Sequence, residues 1–301
     1  MGPMIEGQEM QNQKGRACRW HVDGLVYEGL EWGETGGLRI LALHGWMDHA
    51  DSFAELAPRL TGCHVVALDL SGQGLSSHRA AHATYNIWDD LPQIAGILDQ
   101  MRWTNCVLMG HSRGANIASL FTAAQPHRVT ALVALDSLIS EPSGKSIVET
   151  LRAFVEDTRA ATNRPLRHFP SRADYVARRS ARGNSHATST ALAPRALHQT
   201  PRGYRLRGDA RMFASSAVKL SQQQAETVLA SITCPVLNLW ATDGLKQRGT
   251  GSAELASRAA ELMSRYEALD MAGDHHFHLD PDVAEKIAAT ILDFLHRHHL
   301  T

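Results

Sequence analysis

In Gly110-His111-Ser112-Arg113-Gly114 a serine stands between two glycines, each two positions away. An apolar run, 105–109, precedes it and a helical pattern, 114–124, follows. That order predicts a sharp strand-to-helix turn with the serine at its tip, in a strained backbone conformation that small neighbours allow. The helix start supplies positive dipole and free amides, so Ser112 is placed to attack a carbonyl where negative charge can be stabilised. A second turn, His44-Gly45-Trp46-Met47-Asp48, closes another apolar run. Its glycine lets the amide of Trp46 face the site and pair with that of Arg113 as the two donors of an oxyanion hole. Gly45, Gly110, His111 and Gly114 shape the two turns. His44 is read as a loop-holding histidine, because the turn needs hydrogen bonds there and not a base.

A serine hydroxyl is a poor nucleophile near neutral pH and needs a histidine in reach, with a carboxylate to fix that histidine's tautomer. The loop 273–280 carries three histidines, His275, His276 and His278, ahead of the last helix. Two aspartates follow apolar runs and can reach the same end of a sheet: Asp136 after 129–135, and Asp243 after 235–240. The three histidines also suggest a metal, but no carboxylate or cysteine with zinc spacing accompanies them. The sequence therefore predicts no metal and no cofactor.

The elements that must position these residues are a set of short apolar runs at 38–43, 64–70, 105–109, 129–135 and 235–240. They alternate with helical patterns at 51–60, 87–101, 114–124, 253–264 and 282–296. The rhythm predicts a parallel sheet wound with helices, its strands buried on both faces. A hairpin at 19–22 and 25–33 leads, and a short strand at 267–271 precedes the histidine loop. From 137 to 229 the strand rhythm stops and the text turns helical and arginine-rich, clearest at 147–159 and 172–182. This segment reads as an inserted cap between core segments 16–136 and 230–301, with 1–15 a flexible lead. Its arginines read as a solvated surface, with the rival reading that they attract an anionic substrate.

A length of 301 residues suffices for one large domain with an insertion, and a net charge of −1 gives no electrostatic footprint for nucleic acid or an anionic membrane. The four cysteines are far apart and three lie in or beside apolar runs, as free thiols would. The polar start and the lack of any long apolar run predict no signal peptide, no membrane span and a cytoplasmic protein, with Met4 or Met10 as alternative natural starts.

With these residues in place the chain resembles the α/β-hydrolase superfamily, and within it the serine hydrolase-like proteins. The resemblance is carried by Leu43 to Asp48 with Ser52 and Phe53, by Asp69-Leu70-Ser71-Gly72-Gln73-Gly74-Leu75-Ser76, by the Gly110 to Gly114 turn, by Gly203 to Asp209, and by Gly273 to Leu279. It implies a mostly parallel eight-stranded sheet flanked by helices, with a helical cap inserted after the sixth strand. It also implies His275 as the base, because that residue precedes by five the acid opening the last helix, here Asp280. His276 and His278 are the alternatives. Asp243 is the implied acid and Asp136 the alternative, an acid after the sixth strand being less common among relatives. Ser112 stands where haloalkane dehalogenases and epoxide hydrolases carry aspartate, which argues against both chemistries. The implied activity is cofactor-free hydrolysis of small or medium carboxylic esters. Lactonase, thioesterase and carbon–carbon bond hydrolase are variants on the same triad, and a non-catalytic binding relative is the alternative of another class. The expected partner is a small ester-like molecule; homodimerisation is left open. With the cap arginines facing solvent, neutral short-chain esters are expected to be turned over at least as well as anionic ones.

Overall fold

The computed structural model describes residues 14–162, 166–247 and 251–300. Most of the segment 1–15 expected to be flexible, with both candidate starts, lies outside the described residues. The chain opens with a hairpin, β1 (Arg16–Val22) and β2 (Leu25–Trp32), turned by Asp23 and Gly24 at φ 51° and 75°. Both residues of such a turn need positive φ, which is why Asp-Gly serves there. Next come β3 (Leu38–Leu43), β4 (Cys63–Leu68), α1 (Leu91–Gln100), β5 (Cys106–His111), α2 (Arg113–Ala124) and β6 (Val129–Leu135). The chain then leaves the sheet for α3 (Ile147–Thr162), β7 (His168–Phe169), α4 (Arg172–Ser180), α5 (His186–Ala196), β8 (Leu197–Thr200), β9 (Gly203–Leu206) and α6 (Gln222–Ala230). It returns through β10 (Val236–Asp243), α7 (Ser252–Leu262), β11 (Tyr266–Asp274) and α8 (Pro281–Arg297).

Eight strands form one sheet in the order β1-β2-β4-β3-β5-β6-β10-β11. The β1–β2 and β2–β4 pairs are antiparallel and the rest parallel. This is the mostly parallel eight-stranded sheet that the resemblance implies. The central strands carry almost no polar alternation because both faces are covered. Leu41, Leu43, Leu68 and Leu108 pack with Ile94, Ile117 and Phe121 on one face; Ile40, Ala42, Val65 and Met109 pack with Ile287, Ile291 and Phe294 on the other.

Three expectations are corrected. The helix expected at 51–60 is two short 3-10 turns, Ala50–Phe53 and Ala57–Arg59, since Pro58 donates no backbone hydrogen bond and disfavours helical geometry at the residue before it. The helix expected from 87 begins at Leu91, where Pro92 fits the first turn. The segment between β6 and β10 is not purely helical: β7, β9 and β8 form a small antiparallel sheet packed on Tyr175, Val176 and Ala193. Strands of two to four residues are too short to print a periodicity.

Candidate active site

Ser112 lies between β5 and α2 at φ 53°, ψ −120°, the strained turn the two glycines allow. A side chain at Gly110 would sit 2.5 Å from the backbone of Ala115, and one at Gly114 would meet the carbonyl oxygen of Leu43 at 1.9 Å. Both positions must be glycine for helix and strands to pass this closely. The Ser112 amide is tied to the carbonyl of Leu135, which fixes the turn against the neighbouring strand.

The structure brings His275 to the serine and Asp136 to His275. Nε2 of His275 is 2.9 Å from Ser112 Oγ, and Nδ1 is 2.6 Å from Asp136 Oδ2. With Nδ1–H donating to the carboxylate, Nε2 is left to accept from the serine hydroxyl. Asp136 is fully buried at φ 46° and accepts two backbone amides besides, from Ala241 and Leu245, each at 3.0 Å. Asp243, expected from the sequence to hold this place, does not: it is exposed, and the register of β10 against β11 shifts between Ala241 and Asp243. A shift of this kind re-aims the residues after it. The next residue, Gly244, leaves the space Asp136 fills; a side chain there would stand 2.2 Å from Asp136 Oδ1.

Neither alternative base faces the serine. His276 Nε2 lies 2.9 Å from Asp48 Oδ2, and the fully buried His278 lies 3.0 Å from Ser52 Oγ. His111 donates from Nε2 to the carbonyl of His275 at 2.7 Å, steadying the loop that carries His275. Burial, reinforced by neighbouring imidazoles, pushes the pKa of His111 and of His278 well below the usual histidine range, and burial lowers His276 despite Asp48. His44 is buried with both ring nitrogens engaged, Nδ1 on the carbonyl of Gly45 at 2.7 Å and Nε2 accepting from the amide of Leu70 at 3.0 Å. It holds the loop, as its place in the turn suggests.

Gly45 packs so closely that a side chain there would lie 3.2 Å from Ser112 Cβ, which brings Trp46 beside the serine. Trp46 and Ser112 line one cavity, and the Trp46 indole is anchored by a 3.0 Å hydrogen bond to the carbonyl of Met212 and by edge contact with Phe213. Arg113 opens α2, where an amide has no partner within the helix. The Arg113 guanidinium is turned away from the serine, donating to the carbonyl of Tyr85 at 2.9 Å.

Sequence reasoning missed how the inserted segment is fastened to this end of the sheet. Arg179 of α4 donates to Asp48 Oδ1 at 2.6 Å, so Asp48 joins the insertion, the Trp46 turn and the histidine loop. Burial alone would raise the Asp48 carboxyl, but Arg179 and then His276 outweigh it and hold the pKa well below the usual range. Arg195 pairs with the fully buried Asp69 at 2.8 Å, and Arg211 with Asp209 at 2.7 Å, Asp209 also accepting from Tyr85. Asp48, Asp69 and Asp209 each lie in a motif already singled out, and an aspartate in such a stretch was the available signal. Asp48, His111 and His276 could converge on a cation, their donor atoms lying within 4.8 Å of one another. A protein cation already fills that role: Arg179 Nη2 touches Asp48 and stands 3.2 Å from His276 Nε2.

The cavity, about 530 Å³, is lined by Ser112 and His275 with Trp46, Phe169, Tyr175 and Phe213. A strained serine, a histidine and a buried aspartate are thus brought together at the carboxyl ends of parallel strands, the end at which open α/β sheets bind ligands. Residues 39–281 match the alpha/beta hydrolase fold family, and the chain belongs to it. It is 27% identical over 290 residues to a serine hydrolase-like protein of Dictyostelium discoideum, covering 90% of this chain and 79% of that one. It is 28% identical to a serine hydrolase-like protein of Danio rerio over 89% of this chain and 84% of the other. Among solved structures, a hypothetical protein of Pseudomonas aeruginosa superposes with a TM-score of 0.87 and 30% identity, over 93% of this chain and 99% of that one. The thioesterase domain from the curacin biosynthetic pathway shares the fold, with a TM-score of 0.78 at 23% identity, over 92% and 99% of the two chains.

Proposed function

We propose that this protein is a serine hydrolase cleaving small or medium carboxylic esters, with Ser112 as nucleophile, His275 as base and Asp136 as the acid that orients it. The observation that carries this is the continuous chain from Ser112 Oγ to His275 at 2.9 Å and on to Asp136 at 2.6 Å, opening on the cavity. His275 takes the hydroxyl proton as Oγ bonds to the ester carbonyl. The oxyanion lies between the amides of Trp46 and Arg113, and Asp136 stabilises the imidazolium. His275 then passes the proton to the departing alkoxide, and water, activated by the same nitrogen, releases the acid. No cofactor enters this sequence. The segment between β6 and β10 acts as a cap that shapes substrate choice while the sheet end performs the chemistry. Among the described residues no helix is long and apolar enough to cross a membrane, and all four cysteines are unpaired, which fits a reducing, cytoplasmic setting.

Incubation with a fluorophosphonate probe should label Ser112, with Ser112→Ala abolishing the label and lowering p-nitrophenyl butyrate turnover by at least about 10³-fold. Labelling that persists in Ser112→Ala contradicts the nucleophile; an intact protein inert to both probe and ester supports a non-catalytic binding relative.

A further inference from the structure

Two sets of three stand out among the arginines of the cap. Arg179, Arg195 and Arg211 are partly buried and each meets an aspartate. Arg167, Arg178 and Arg182 are exposed, line the cavity that holds Ser112 and His275, and meet no carboxylate among the described residues. Arg178 belongs to the last turn of α4 and Arg182 follows that helix, while Arg167 comes in from the segment before β7. Partial desolvation, and then the like charges of Arg167 and Arg182, push the Arg178 pKa down.

A helix dipole favours cations near its carboxyl end, and that accounts for Arg178. It does not account for a third guanidinium brought from another segment, nor for all three facing the cavity, where each repels the others. The cavity's lining carboxylate, Asp48, is already taken up by Arg179 and His276. Like charges gathered there with no counter-charge of their own are relieved by an anion, and guanidinium is the side chain best matched to carboxylate and phosphate oxygens. We propose that Arg167, Arg178 and Arg182 form an anion subsite in the cavity, so that the ester or thioester cleaved at Ser112 carries a carboxylate or phosphate apart from its scissile carbonyl. This rests on the assignment of Ser112 as nucleophile, and it reverses the expectation that the cap arginines serve only as a solvated surface. The apolar lining beside them, Trp46, Leu166, Phe169 and Phe213, suits the acyl part of such a molecule.

The test uses two matched pairs: methyl butyrate against monomethyl succinate, and butyryl-pantetheine against butyryl-4′-phosphopantetheine. In the first pair a carboxylate replaces the terminal methyl and in the second a phosphate is added to the terminal hydroxyl, so the arms separate carboxylate from phosphate. The subsite predicts that kcat/KM favours the anionic member of at least one pair by about tenfold at low salt, the effect of one charge-assisted contact at a half-open site. The preference should shrink at about 1 M salt, where the Debye length is about 3 Å. It should fall below about twofold in the double variant Arg178→Gln/Arg182→Gln. Arg172→Gln should retain it, because Arg172 packs over the Tyr204 ring and is not part of the cavity lining. Equal or better use of both neutral members overturns the subsite, as does a preference that survives the double variant or is lost equally in Arg172→Gln. Turnover of none of the four by a protein whose Ser112 a fluorophosphonate still labels overturns the subsite and leaves the nucleophile standing. Absence of both turnover and labelling removes the nucleophile assignment and the subsite with it.

Discussion

Strands β6 and β10 lie side by side and parallel, and each delivers an aspartate to the same end of the sheet, with opposite outcomes. Asp136, one residue past β6, turns inward at φ 46° and is fully buried against two amides and the His275 ring. Asp243, the last residue of β10, follows a shift in pairing and is left exposed. A strand end thus sets which residue type can reach a site, but the conformation of a single residue decides which one does. The two ends also depend on each other: β10 contributes the Ala241 amide, and its following loop contributes the Leu245 amide and the vacancy at Gly244, to an acid that belongs to β6.

The largest effect should come from Asp136→Asn, which keeps shape but reverses the polarity seen by His275 Nδ1. A loss of roughly 10⁴-fold in kcat is expected, the scale of tautomer-setting aspartates in serine hydrolases generally. Steady-state hydrolysis of p-nitrophenyl butyrate checks it, and a loss under about tenfold would break the comparison. Gly244→Ala should follow, since its methyl carbon would stand 2.2 and 2.3 Å from the two Asp136 oxygens. A displacement near 1 Å in an orienting group costs about 10²-fold, so kcat should fall to that extent with the protein still folded by circular dichroism. At the small end, Asp243→Asn should change kcat/KM by no more than about twofold, as surface substitutions carry only about 0.5 kcal/mol.

The histidines behind the serine sharpen the contrast in another observable. His111, His276 and His278 are buried with their pKa values depressed below the ordinary 6.5. Below that pH the unfolded chain takes up protons that the folded chain refuses, so their contribution is intact above pH 6.5 and is lost as pH falls beneath it. Each can cost at most about 1.4 kcal/mol per pH unit. Thermal melts should show the midpoint falling from pH 7 to pH 5, and a flat profile would mean that these rings are not held neutral.

Much of this arrangement was legible in the chain. The glycines at 110 and 114 announce a turn that no larger residue fits, and the apolar run before them and the helical run after fix its direction. The same holds for the Gly45 turn and for a histidine loop before the last helix, because each has a local cause in backbone sterics or capping. The choice between Asp136 and Asp243 was not legible. Both follow apolar strands, and what separates them is the φ of one residue and a pairing shift on a neighbouring strand, neither of which leaves a pattern in residue type. Gly244 was the one readable trace, as a glycine directly after the expected acid marks room for a side chain from elsewhere. The partition of the arginines between β6 and β10 was hidden for a similar reason: a charge run records composition, whereas pairing with Asp48, Asp69 and Asp209 depends on where a distant segment packs.

The central claim is the bond between His275 and Asp136, and proton NMR of the resting protein reads it without relying on turnover. A strongly hydrogen-bonded Nδ1 proton shared with a buried carboxylate gives a resonance far downfield of the amide region, and 15N labelling of histidine identifies it as a ring proton. The structure predicts that this resonance is present in the wild-type protein and in Asp243→Asn and absent in Asp136→Asn. Its loss in Asp243→Asn with survival in Asp136→Asn would contradict the account and return the acid to the end of β10.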